Sequence, residues 1–334
     1  MALRLIETVL QEKTGADVRE LLKEHKVLEH RQIRLADGEV LVRILLDAEQ
    51  SEPVLDLLEK RYAGGAANRI VVLPVEATLP RAEPEPAATL EQPLPEEKTP
   101  ERISREELYE DIKDAARCSR VYLAMVVLST IVAAIGLYYN SVAIIIGAMV
   151  IAPLLGPNMA FALGTALGDF TLLGRAFRTG LAGIGTVMAL SVILGVLLQV
   201  NPAAPEMVSR EVVGLGDIVV ALASGTAGAL AFTTGVSAAL IGVMVAVALL
   251  PPLVTFGLLM GHGQPALAMS ALSFFLINLI CVNLAGVATF LVQGIRPANW
   301  WEKDRAKKAT RVAIGLWVTL LAALLGMILL LRKG

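Results

Sequence analysis

Hydrophobic and polar positions divide the chain at about residue 120. From Val121 to Ile295 the only charged side chains are Asp169, Arg175, Arg178, Glu206, Arg210, Glu211 and Asp217. The runs between them reach the roughly 20 apolar residues that a helix needs to cross a bilayer. The pattern predicts about seven spans, at roughly 121–139, 141–168, 176–199, 216–234, 236–260, 266–292 and 310–331. Before residue 120 the pattern is different. Short alternating runs suit strands, and 3.6-residue periodicity suits helices.

Residues 1–79 read as one small domain. "ALRLIETVL" predicts a strand, and "GADVRELLKEH" sets Val18, Leu21 and Leu22 on one helical face. "VLEHRQIRL" and "EVLVRILLD" flank Asp37-Gly38, a two-residue hairpin signal. "SEPVLDLLEKRY" begins with Ser51 as cap and Pro53 in its first turn, and "NRIVVLPVEATL" closes the series as a strand. The order βαββαβ is that of a ferredoxin-like (ACT-like) α+β domain. Residues 80–103 are rich in Pro, Glu and Ala and predict an extended linker. Residues 104–119 form an amphipathic juxtamembrane helix, with Ser104 and Glu107 matching a capping box.

Composition agrees with this division. Of 334 residues, 55% are hydrophobic and 18% charged, and the mean hydropathy is +0.66. Those values exclude a disordered chain and point to a multi-pass helical membrane protein with the lipid bilayer as its partner. The polar first hundred residues contain no apolar signal-peptide core, so the first span itself is expected to direct insertion. Net charge is −2, and no basic patch suggests a nucleic-acid partner. Arg175 and Arg178 follow span two, and six basic residues from Arg296 to Arg311 follow span six. By the positive-inside rule these loops and the N-terminus are cytosolic, in the cell (cytoplasmic) membrane.

The spans contain an internal echo. "SVAIIIGAMVIAPLLGPN" begins at Ser141 and "SAALIGVMVAVALLPPLV" at Ser237, and each carries two prolines: Pro153 and Pro157, then Pro251 and Pro252. With three spans per unit (about 120–199 and 216–292, the span at 310–331 being extra), the second unit enters the membrane inverted. A 3+3 inverted repeat with broken helices at matched positions is a transporter signature. Proline frees the carbonyl four residues earlier, here those of Met149, Pro153, Val247 and Ala248. Such groups need packed protein or a wet cavity. Asn158 is placed to cap a new half-helix, "MAFALGTALGD".

These features give a candidate solute or ion path: Pro153, Pro157, Asn158, Asp169, Ser224, Thr226, Pro251 and Pro252. Small residues around Ser224 allow helices to approach closely, and homo-oligomers are expected. Asn278 and Asn283 in the sixth span read first as glue between helices. Cys118 and Cys281 form no CxxC pair, and no metal site, cofactor, Walker loop, zinc motif or catalytic set is expected. An enzyme is not expected.

"NSVAIIIGAMVIAPLLGPNMAFALGTALGD", from residue 140, and the later "LASGTAGALAFTTGVSAALIGVMVAVALLPPL" resemble the bacterial and archaeal membrane proteins called the domain of unknown function 389 family. The resemblance covers about residues 105–295. It implies an integral membrane protein, in many members preceded by a small N-terminal domain, and supplies no catalytic residues. The residues favour a transporter or channel for a small solute or ion, with possible regulation by the cytosolic domain. The alternative is a non-transporting sensor, scaffold or lipid-binding oligomer.

Overall fold

The computed structural model describes residues 3–11, 18–35, 38–62, 69–75, 78, 102–198, 200–210, 214–234 and 238–295, with isolated positions beyond. The expected linker and the expected span at 310–331 fall almost wholly outside the described residues. The chain separates into two units, Met1–Leu108 and Tyr109–Gly334.

In the N-terminal unit four strands form one antiparallel sheet: β1 (Leu3–Gln11), β2 (Glu29–Arg34), β3 (Glu39–Asp47) and β4 (Ile70–Val75), in the order β2-β3-β1-β4. That order follows from the predicted succession of elements, because each crossover skips one strand. Residues 18–21 are helical and run into a short 3-10 turn, Leu22–Glu24, and α1 (Ala48–Tyr62) leads to β4. The alternation is strict on β1, whose Arg4, Ile6, Thr8 and Leu10 are buried. Ile6 and Leu10 pack with Val42, Ile44, Val54 and Leu58 into one core. Gly38 has φ +73°, the left-handed conformation the hairpin reading requires.

Two local expectations change. Helix α1 starts at Ala48, three residues early, so Ser51 is not its cap; the Ser51 hydroxyl instead donates to the Ala48 carbonyl. Helix α2 (Arg105–Ala115) does use Ser104, whose hydroxyl accepts the Glu107 N–H at 3.3 Å. Glu107 does not return the bond to complete a capping box. Its carboxylate pairs with buried Arg4, at 2.8 and 2.9 Å. Opposite charge on a largely desolvated partner outweighs a neutral backbone N–H.

In the second unit the spans become α3 (Arg120–Tyr138), α4 (Val142–Ile151), α5 (Leu155–Leu167), α6 (Phe170–Leu197), α7 (Leu215–Thr234), α8 (Ala238–Gly261) and α9 (Pro265–Val292). Among the described residues four helices, α3, α6, α7 and α9, are long and apolar enough to cross a membrane, and the bent pair α4 and α5 makes a fifth. Helix α8 is the hub and packs against α3, α4, α6, α7 and α9. Large apolar side chains such as Val121, Phe170, Val196 and Val292 stand on the outside, as lipid contact requires. Ser119 caps α3 by accepting the Tyr122 N–H at 3.0 Å, so α2 ends before the first span and does not run into it.

The two proline pairs behave differently. Pro153 does break the first segment. Ala152, forced out of the helical region by the proline after it, has ψ 119°, and α4 and α5 meet at a 54° bend. Pro157 breaks nothing, because it lies in the first turn of α5, where a missing N–H has no partner to lose. In the second segment the expected break is absent, and Pro251 and Pro252 sit inside continuous α8. The reason is a donor from a neighbouring helix. Pro252 frees the Ala248 carbonyl, and Asn278 Nδ2 of α9 donates to it at 2.8 Å, with Asn278 only 3% exposed. Replacing Asn278 by Leu strands that carbonyl and is expected to cost about 1–3 kcal/mol. Adding Pro252→Ala, which restores an N–H to Ala248, is expected to recover most of the loss. Thermal unfolding in detergent of the single and double variants checks this; equal melting of N278L and N278L/P252A would show that the carbonyl is satisfied another way.

Candidate functional site: an amide-bearing cavity at the helix break

The second unit holds a cavity of about 160 Å³. Its wall begins with Leu154, at the break, and continues with Pro157, Asn158 and Phe161 of α5. Helix α3 contributes Tyr122, α6 contributes Phe177 and Leu181, α8 contributes Leu249, and α9 contributes Phe275, Leu279 and Asn283. Among the described residues no side chain on it is charged. Gly180 lines it as well, and among the described residues a Cβ there would meet only Pro157 Cβ, at an ordinary 3.8 Å.

Polar chemistry in this cavity comes from two asparagines. Asn158 is not a helix cap, because α5 starts at Leu155 and Leu154 occupies the cap position. Its Nδ2 donates to the Leu154 carbonyl at 2.7 Å, four residues back. Its Oδ1 accepts Asn283 Nδ2 at 2.9 Å, while Asn283 Nδ2 also donates to the Leu279 carbonyl at 2.8 Å. A carbonyl only accepts, so Leu154 and Leu279 fix which end of each amide is nitrogen. Asn283 Oδ1 is left buried without a hydrogen-bond partner among the described residues. Tyr122 is already engaged, its hydroxyl donating to the Thr179 carbonyl at 3.3 Å.

Of the residues expected on a path, Pro157 and Asn158 line the cavity. Pro153 lies in the turn just before Leu154. Pro251 and Pro252 are buried in α8 beyond Leu249, which supplies the wall on that side. Ser224 and Thr226 are elsewhere, on α7, where the chain packs tightly: a Cβ on Gly225 would sit 2.5 Å from the Val282 carbonyl oxygen of α9. Asp169 is also elsewhere. It caps α6 by accepting the N–H groups of Thr171 and Leu172, at 2.8 and 3.1 Å. Its other oxygen accepts the Tyr109 hydroxyl at 2.7 Å. At the start of α5, Gly156 leaves no room for a Cβ against the Ala115 backbone, so Tyr109–Ala115 is held near both ends of that half-helix.

The asparagines of α9 act as glue, as their sequence setting suggests, but Asn283 is also part of the cavity wall. Tyr122, Phe161, Phe177, Leu249 and Phe275 are among the wall residues that sequence reasoning missed. In an apolar span they look like any other apolar residue, and only the way helices pack distinguishes them.

An apolar bundle of this kind, in a chain that also carries a small antiparallel-sheet unit, defines a multi-pass helical membrane protein. The chain belongs to the family described as Domain of unknown function (DUF389), whose model matches residues 149–284. It is 41% identical over 288 residues to the uncharacterized protein MJ0678 of Methanocaldococcus jannaschii, an overlap covering 86% of this chain and 87% of that relative. No solved structure matches the chain. The matched segment contains both proline pairs, Asn158, Asn278 and Asn283.

Burial first, and then the hydrogen bond to Asp169, push the Tyr109 phenol up to about 12 from its usual 10. A folded value above the unfolded one means a contribution that is complete below pH 10 and lost as pH rises through 12. In an ultraviolet titration, the wild-type minus Tyr109→Phe difference is expected to show a phenol ionising near 12. A transition at the ordinary value would mean that Asp169 does not hold it.

Proposed function

We propose that this chain is a membrane carrier or pore for a small uncharged solute, with the amide-bearing cavity on its path. On this reading the membrane part has seven spans, the last at about 310–331, and is a 3+3 inverted repeat. The N-terminal unit lies in the cytoplasm and regulates the path, and the protein assembles as a homo-oligomer. One observation carries the proposal. The proline-bearing segments of the two sequence units, represented by Pro157 and Asn158 and by Leu249, line the same cavity. A break in a membrane helix is tolerated where the freed backbone faces packed protein or a cavity. In secondary transporters such breaks sit at the site. The uncharged wall favours a neutral solute over an ion, since a bare charge moved into an apolar site without a counter-charge is costly.

Purified protein in proteoliposomes is expected to carry small neutral solutes faster than empty liposomes. Gly180→Leu, which fills the cavity, should slow that flux at least tenfold, and monovalent ions should not pass. Absence of flux for every neutral solute, in vesicles where the protein is correctly inserted, would leave a membrane-anchored binding protein as the reading.

A further inference from the structure

The sheet of the N-terminal unit is apolar on both faces, and one of them is open. We infer that this open face pairs with the same face of a second copy of the chain. The inference deepens the homo-oligomer reading above by giving it a surface. In an antiparallel sheet with one solvated face, alternation sends apolar residues inward and polar ones out to water. Here the inward set includes Ile6 and Leu10 of β1 with Val42 and Ile44 of β3, packed with Val54 and Leu58 of α1. The outward set is apolar as well. Cross-strand register places Ile33, Leu41 and Val9 in one outward row, and Leu45, Leu5 and Leu73 in another. Ile33 and Leu73 are 43% and 41% exposed, and Val71, in the row between, is 43% exposed. A contiguous apolar patch of several hundred Å² marks an interaction site.

Size and charge select the occupant. The strands are six or nine residues long. At about 3.3 Å per residue and about 4.8 Å between strands, they present a face of about 480 Å² in plan. Two copies packed face to face therefore bury on the order of 1,000 Å², the size at which specific interfaces begin. The middle of the face is neutral. Arg43 pairs with Glu7 at 2.6 Å, and Arg31 in the same row pairs with Glu29. Anionic headgroups or nucleic acid would call for an excess of basic residues. A two-fold copy instead lays paired opposite charges against the same pairs, with apolar rows on either side.

Crosslinking of the full-length protein in proteoliposomes tests the pairing. Cys118, which is exposed, is first replaced by Ser, while Cys281 is buried and stays. Leu45→Cys, near the middle of the face, is expected to give a dimer with a bismaleimide of about 10 Å reach, the spacing of stacked sheets. Glu59→Cys, exposed on α1, is expected to give none. Adding Leu5→Lys to Leu45→Cys charges the outward face and leaves the core alone. It should cut the dimer yield at least tenfold with thermal unfolding unchanged, and Leu73→Lys on the edge strand β4 should do the same. A yield at Leu45→Cys no greater than at Glu59→Cys overturns the inference. So does a yield that both lysine variants leave unchanged. Light scattering in detergent separates the two readings. An oligomer without the Leu45→Cys crosslink overturns the sheet pairing alone, and a monomer overturns both.

Discussion

Every backbone carbonyl in a lipid-embedded segment needs a donor, and proline removes one. That constraint organises the membrane part of this protein. At Pro153 the chain answers it by ending the helix, so that α4 and α5 meet at a bend. At Pro252 it answers with a side chain from elsewhere, Asn278, and α8 continues unbroken. Helix α9 reaches both segments. Its Asn278 serves the Ala248 carbonyl, and its Asn283, five positions on, ties to Asn158 just after the break. Without these two amides the Ala248 carbonyl and the Asn158 side-chain oxygen would lose the donors that α9 brings them.

The cavity is a consequence of the same geometry. A bend in one helix leaves space that straight neighbours cannot fill, and Phe161, Phe275 and Leu249 line that space without closing it. Close packing elsewhere is strict. Glycines on α6, α7 and α8 bring backbones together; Gly195, for example, leaves no room for a Cβ against Leu258. In lipid, where apolar surface gains nothing from being hidden from lipid tails, such close contacts and interhelical hydrogen bonds are what hold helices together. The hollow beside Asn158 and Asn283 contrasts with these close contacts.

Much of this was legible in the chain. Strand β3 runs over the expected Glu39–Asp47, and helices α3, α7, α8 and α9 begin and end within two residues of their predicted limits, because hydrophobic pattern and turn residues are local signals. Positions whose role depends on a distant partner were not legible. Glu107 fits a capping box but pairs with Arg4, and Asn158 follows a proline like a cap but bonds to Asn283. Asp169, a solitary acid at the end of a span, suggests a path; its bonds to the start of α6 and to Tyr109 are visible only in the fold.

By itself the sequence determined the long apolar helices, the small sheet unit and its strand order, and the places where prolines disturb the membrane segments. Those follow from periodicity, length and the chemistry of single residues. Tertiary structure alone decided which disturbed carbonyl is repaired and which helix breaks. It decided that Leu249, Asn158 and Asn283 share one cavity, and that the Asn283 side-chain oxygen is buried with no hydrogen-bond partner among the described residues. A proline announces a missing donor wherever it stands, but the donor that replaces it comes from another helix, and only packing brings the two together.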